Sequence, residues 1–182
     1  KVLDAGVRNV VVPRVETAAE VRRVVEASRY EYDGGPGERG VSFGRASNYG
    51  KSLSMDGGSD FHEREDDSVL VGVLIENETA VENIEEIVEV PELGFVFPGP
   101  GDTGVSMGHT LEYGHPDVSA ALKTVEQTCL EHDVPLLGIL GSNFDTLDDA
   151  RSAVDRGYQL IGIGNEFAIL RDSLGETLAA LT

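Results

Sequence analysis

The sequence predicts an α/β protein built on a parallel sheet, either an open doubly wound sheet or a (β/α)8 barrel of which five units are present. Two observations predict this. A short apolar run followed by a helical pattern recurs five times along the 182 residues, and such alternation implies parallel strands with crossover helices. The runs are also nearly unbroken in Val, Leu and Ile, as strands covered on both faces are. A third observation bears on the choice between the two forms: no G-x-G-x-x-G stands between a run and its helix, so nothing marks a dinucleotide-binding sheet. A barrel needs eight units. On that reading residues 1–182 form one domain, and three further units are expected upstream of Lys1.

Asn9-Val10-Val11-Val12 is the first strand and Pro13 ends it. Thr17 with Glu20 three residues on has the form of a capping box, and Val21, Val24, Val25 and Ala27 follow at helical spacing. The second strand, Val69 to Ile75, is broken only by Gly72, and its helix is expected over Glu78 to Val88 with Ala80, Val81, Ile84, Ile87 and Val88 on one face. Gly94-Phe95-Val96-Phe97 is the third strand. A Gly/Pro-rich loop comes next, then a helix from Pro116 to His132. Proline suits a first helical turn, where its missing N–H has no partner to lose. Leu136 to Leu140 is the fourth strand, with a helix near Leu147 to Arg156. Leu160 to Ile163 is the fifth, with a helix near Glu166 to Leu181.

Residues 30–67 are long for a connection. Asp33-Gly34-Gly35-Pro36-Gly37 reads as plain loop, and Gly44 to Tyr49 and Asp60 to Asp66 can each hold a short helix. Either this insertion covers substrate, as long loops of barrel enzymes do, or it has no part in chemistry.

Composition excludes several partners. Asp and Glu number 33 against 14 Lys and Arg, a net charge of −19, and only Lys1, Lys51 and Lys123 are lysines. No basic track exists for nucleic acid, and anionic lipid is equally disfavoured. Because the apolar residues are strongly periodic, the acidity reads as a halophilic surface, with self-repulsion screened by concentrated salt. No apolar run approaches a membrane span, and Lys1-Val2-Leu3-Asp4 is not a signal peptide. A lone Cys129 excludes an internal disulfide framework and fits a reducing cytoplasm.

Two acids stand out by position. Glu76 directly follows the second strand, and Asp102 lies just beyond the third. Neighbouring parallel strands are about 5 Å apart, so carboxylates at the same end can share one divalent cation through hard oxygen ligands. Without a cation the two repel, and one stays protonated. The alternative is that each caps the helix that follows.

The stretches Val73-Leu74-Ile75-Glu76-Asn77-Glu78-Thr79-Ala80 and Gly94-Phe95-Val96-Phe97-Pro98-Gly99-Pro100-Gly101-Asp102 resemble the HpcH/HpaI aldolase family, whose pattern is a strand ending in I-E or V-E, a helix, then F-x-G-P-x-D. Leu3-Asp4-Ala5-Gly6, Val11-Val12-Pro13, Arg39-Gly40-Val41, Arg45-Ala46-Ser47, His115-Pro116-Asp117-Val118, Gly138-Ile139-Leu140 and Ile161-Gly162-Ile163-Gly164 agree in order along the chain. The resemblance implies a TIM barrel and a class II pyruvate aldolase, which cleaves 4-hydroxy-2-oxo acids to pyruvate and an aldehyde. It also implies Glu76 and Asp102 as ligands of Mg²⁺ or Mn²⁺, which would stabilise the pyruvate enolate. Backbone N–H groups of Gly101 and Asp102 are then expected to meet the substrate carboxylate. The catalytic His–Asp base pair and Arg of the family are expected upstream of Lys1, and the assembly is expected to be a homo-oligomer, a hexamer whose dimers exchange the last helix.

Three positions depart from the family pattern: Leu74 where Gln is common, Pro98 before Gly99-Pro100, and Thr103-Gly104 after the acid. An acyl-CoA lyase of the citrate-lyase-β type and a non-catalytic barrel subunit remain as alternatives. His109 and His132 show no acidic partner by spacing and read as solvent-exposed. His115 reads as a helix cap, and Cys129 as a core residue. Arg45 can reach substrate from the long insertion or lie at a surface or subunit contact. Glu82, Glu85, Glu86 and Glu89 read as a solvated face. Val154, Leu170, Leu174, Leu178 and Leu181 offer apolar surface, either for subunit contacts or for packing on their own barrel.

Overall fold

In a computed structural model, which describes residues 1–31, 35, 37–55, 59–110, 112 and 114–181, five strands run parallel: β1 (Asn9–Val12), β2 (Leu70–Ile75), β3 (Phe95–Pro98), β4 (Leu137–Ile139) and β5 (Leu160–Gly162). β1 pairs with β2 and β2 with β3. β4 pairs with β5. A parallel bridge between Val96 and Leu136, with the Val96 N–H donating to Pro135 O at 2.8 Å, joins the two sets. The strands therefore stand side by side in chain order. An open doubly wound sheet reverses its order at a switch point, and no reversal occurs among the described strands.

The helices form where the sequence provides caps. α1 (Ala18–Ser28) opens on a complete Thr17–Glu20 capping box. α7 (Pro116–Glu131) opens on Pro116, with the His115 ring accepting the Asp117 N–H. α8 (Leu147–Arg156) opens on a second capping box, Thr146 with Asp149, and stops at Gly157 in the left-handed region. The apolar faces of α1 and α7 meet the sheet in one core, in which Val21, Val73, Ile75, Val96, Val125 and Leu136 are wholly or almost wholly buried. Cys129 belongs to that core, and burial pushes its thiol up to about 12, as expected of a packing residue. β2 is covered on both faces. The outer strands are not, and Val11 of β1 is partly exposed.

Several expectations need correction. The Gly/Pro-rich segment after β3 is not loop throughout but contains α6 (Pro100–Ser106). The helix expected over 78–88 is two, α4 (Glu78–Glu82) and α5 (Ile84–Val88), broken at Asn83, whose side chain donates to Glu16 O at 2.9 Å. Within the insertion, α3 (Ser59–Asp67) is a helix as expected. Residues 44–49 are a turn, and the second helix is α2 (Lys51–Met55). Asp33, Gly34 and Pro36 of the expected loop lie outside the described residues.

The insertion also lies at the wrong end to cover substrate beside Glu76. It follows α1 and leads into β2, and its described residues gather at the N-terminal ends of the strands. The Tyr30 N–H donates to Asp66 at 3.1 Å, Arg29 donates to Val69 O, and the Ala46 N–H donates to Asp4 O. Arg45 packs beside Gly6, ahead of β1. A cavity of about 650 Å³ at this end is bounded by Arg29, Tyr30, Asp66 and Leu70.

Candidate active site

At the C-terminal ends of the strands, β1, β2 and β3 converge on one buried carboxylate. Ile75 pairs with Pro98, which sets Glu76 beside Gly99, and the Gly99 N–H donates to Ile75 O at 2.8 Å. A Cβ on Gly99 would come 3.0 Å from Glu76 Cβ and 3.0 Å from Leu74 Cδ1. Glycine is therefore what lets β3 turn into α6 so close to the acid. Asp102 follows in the first turn of α6. The end of β3 is tied to the end of β4 by Asn143, whose Nδ2 donates to Pro98 O at 2.7 Å while its Oδ1 accepts the Ile139 N–H.

Glu76 is 5% exposed, whereas Asp102 faces solvent. Glu76 Oε1 accepts the Arg14 N–H at 2.7 Å. Arg14 follows β1 and holds φ +57°, a strained conformation for a residue with a side chain. Burial raises the pKa of Glu76 above the ordinary carboxylate range. The Arg14 N–H opposes that rise, and the neighbouring Asp102 carboxyl adds to it. A carboxylate so placed is stabilised by whatever cation reaches it.

Capping does not account for either acid. Asn77, not Glu76, caps α4, with its side chain accepting the Ala80 N–H at 2.9 Å. Gly99 is the residue at the cap of α6, and no side chain bonds there. Thus β2 and β3 bring Glu76, Gly101 and Asp102 together. The all-oxygen donor set suits a hard dication such as Mg²⁺ or Mn²⁺, and one carboxylate oxygen of Glu76 is held by the Arg14 N–H. The N–H groups of residues 101 and 102, in a first helical turn, have no intrahelical carbonyl to meet.

Sequence reasoning missed Arg14 and Asn143. Arg14 stands just past the apolar run of β1, the same position that singled out Glu76 and Asp102, so that signal was present. Nothing in the sequence marked Asn143. His115 caps α7 and His132 is exposed, both as expected, but two histidines have acidic partners that spacing did not show. His109 Nε2 lies 3.5 Å from Asp117, and His132 Nε2 lies 3.0 Å from Glu85; these partners come from other elements or across a turn. Glu82, Glu85, Glu86 and Glu89 are exposed as expected.

Known proteins resemble this chain in sequence and in fold. The chain is 33% identical over 181 residues to a 2-dehydro-3,6-dideoxy-6-sulfogluconate aldolase of Pseudomonas putida, covering all of this chain and 66% of that protein. It is 38% identical over 130 residues to a hydroxypyruvate/pyruvate aldolase of Cupriavidus necator, covering 71% of this chain and 46% of that protein. It therefore spans two thirds or less of the length of these relatives. A solved HpcH/HpaI aldolase/citrate lyase family protein from Burkholderia cenocepacia superposes with a TM-score of 0.84 at 27% identity, over 99% of this chain and 67% of that one. The family model for HpcH/HpaI aldolase/citrate lyase matches residues 1–172, and the chain belongs to that family.

Proposed function

We propose that the protein is a metal-dependent aldolase that cleaves 4-hydroxy-2-oxo acids to pyruvate and an aldehyde, on a (β/α)8 barrel whose five C-terminal units these are. The observation that carries the reading is the buried Glu76 beside Asp102 at adjacent strand ends. Glu76 and Asp102 would hold Mg²⁺ or Mn²⁺, which supplies a Lewis acid for negative charge developing on a 2-oxo acid. The Arg14 N–H fixes one carboxylate oxygen of Glu76 and so orients the other. The backbone N–H groups of Gly101 and Asp102 bind the carboxylate of the 2-oxo acid. Leu74, packed against Gly99, sets an apolar side chain beside Glu76. The proton-transferring base and the catalytic Arg belong upstream of Lys1.

The test is exchange of the pyruvate methyl protons into D₂O, which reports enolisation without an aldehyde. The whole protein should exchange them with Mg²⁺ or Mn²⁺ and lose exchange with a chelator. Asp102→Asn and Glu76→Gln should each weaken cation binding and slow exchange by about two orders of magnitude or more. Unchanged Mg²⁺ and Mn²⁺ affinity in Asp102→Asn would overturn the metal assignment and the mechanism with it.

The assembly is proposed to be a homo-oligomer in which a second copy covers α9 (Glu166–Leu181), none of whose described residues is buried. A halophilic, cytoplasmic setting is proposed on the net charge of −19 and the single, buried cysteine. No described helix is long and apolar enough to cross a membrane.

A further inference from the structure

The segment joining α6 to α7 brings together a second set of metal-binding side chains. His109, His115 and Asp117 each offer one ligand atom, and these atoms lie within 4.8 Å of one another. His109 Nε2 is 3.5 Å from Asp117 Oδ2, and His115 Nδ1 is 3.7 Å from the same oxygen. The two imidazoles stack with centroids 3.5 Å apart and planes 14° from parallel. His115 Nδ1 accepts the Asp117 N–H at 3.3 Å, and an accepting ring nitrogen is the kind of donor atom that ligates metals.

The backbone builds this cluster. The His109 N–H donates to Gly104 O at 2.7 Å, folding the segment back on α6. A Cβ on Gly104 would lie 3.1 Å from His109 O, so the bare glycine admits the close approach. Pro116 starts α7 and holds His115 and Asp117 on either side of the first helical position. Both histidines are half-buried and Asp117 is exposed, which leaves the site open to a hydrated ion.

We propose that His109, His115 and Asp117 bind a first-row transition dication of the zinc type, at a site separate from Glu76 and Asp102. Two imidazole nitrogens and one carboxylate form a borderline donor set, whereas Mg²⁺ keeps to oxygen. Around a tetrahedral zinc with bonds of about 2.0–2.1 Å, ligand atoms sit about 3.3–3.4 Å apart. The two separations to Asp117, 3.5 and 3.7 Å, are slightly longer, and all three pairs lie within 4.8 Å. Each ring has to turn out of the stack so that its lone pair meets the shared ion, and the weak 3.3 Å contact to the Asp117 N–H is given up if Nδ1 is the ligand atom of His115. Three protein ligands leave a position for water. The bound ion would pin the connection after α6, the helix that carries Asp102, to the start of α7.

The experiment is a calorimetric Zn²⁺ titration of untagged, chelator-stripped protein carrying Asp102→Asn, which disables the carboxylate site, with Mg²⁺ as the control ion. One equivalent of Zn²⁺ should bind and Mg²⁺ should not compete. Adding His109→Gln should lower the zinc affinity by at least about tenfold. Adding His115→Asn should do the same, and because Asn still offers an acceptor to the first turn of α7, an unchanged melting temperature shows that the helix start is intact. The proposal is overturned if the Asp102→Asn protein takes up no Zn²⁺, if Mg²⁺ displaces it, or if either histidine variant binds as tightly as its parent.

Discussion

Glu76 is buried, next to a second carboxyl, and relieved only in part by the Arg14 backbone N–H and the Arg14 charge. Its folded pKa is raised above the unfolded value of 4.5. The folded state therefore holds the proton more tightly than the unfolded one, and linkage sets the sign. Without metal, this group favours folding below pH 4.5 and loses that contribution as the pH rises through its raised folded value. Above that value the ionised side chain is a net cost, which a bound cation would offset. Glu76→Gln should therefore leave the metal-free protein at least as stable at neutral pH, and should flatten its stability profile across the acidic window. Denaturant titrations at several pH values, on both proteins in chelator, measure this. A metal-free Glu76→Gln protein clearly less stable at pH 7 would show that the charge is held by favourable contacts instead.

At the scale of elements, the site depends on strand ends that turn directly into helices. Asn77 does the capping of α4, which leaves its neighbour Glu76 pointing at the site instead of at the helix backbone. Asn77→Ala should cost about 1 kcal/mol of stability while leaving divalent-cation affinity largely intact. Thermal melts and cation titrations on the same preparation separate this outcome from that of Glu76→Gln, which should do the reverse. Comparable losses of cation affinity in the two variants would mean that the cap and the site are one structural unit.

For the whole molecule, charge and exposed apolar surface act together. With a net charge of −19, self-repulsion is long-ranged at low salt, and the Debye length falls from about 10 Å at 0.1 M to about 3 Å at 1 M. The melting temperature should rise steadily as KCl is raised over that range, and a maximum at low salt would refute the halophilic reading. Leu170 and Leu174 of α9 are 59% and 56% exposed, and the proposed second copy would cover this apolar face. Leu174→Asp should shift sedimentation toward smaller species. An unaltered sedimentation profile would rule out α9 as a subunit contact.

Much was legible from the chain itself. Alternating apolar runs and helical periods are local, so five strands, the Thr17 cap, the Pro116 start and the core position of Cys129 follow from spacing alone. The two acids were found because a residue just past an apolar run must sit at a strand end. What spacing does not carry is which end of the sheet a long connection visits, or which side chains meet across elements. Only the tertiary structure placed the insertion at the N-terminal ends of the strands, away from Glu76. Only it brought the Arg14 N–H onto Glu76 and set His109 against His115 and Asp117. The fold class lies in short-range periodicity, while the site depends on parallel pairing that aligns strands distant in sequence and turns their ends into neighbours.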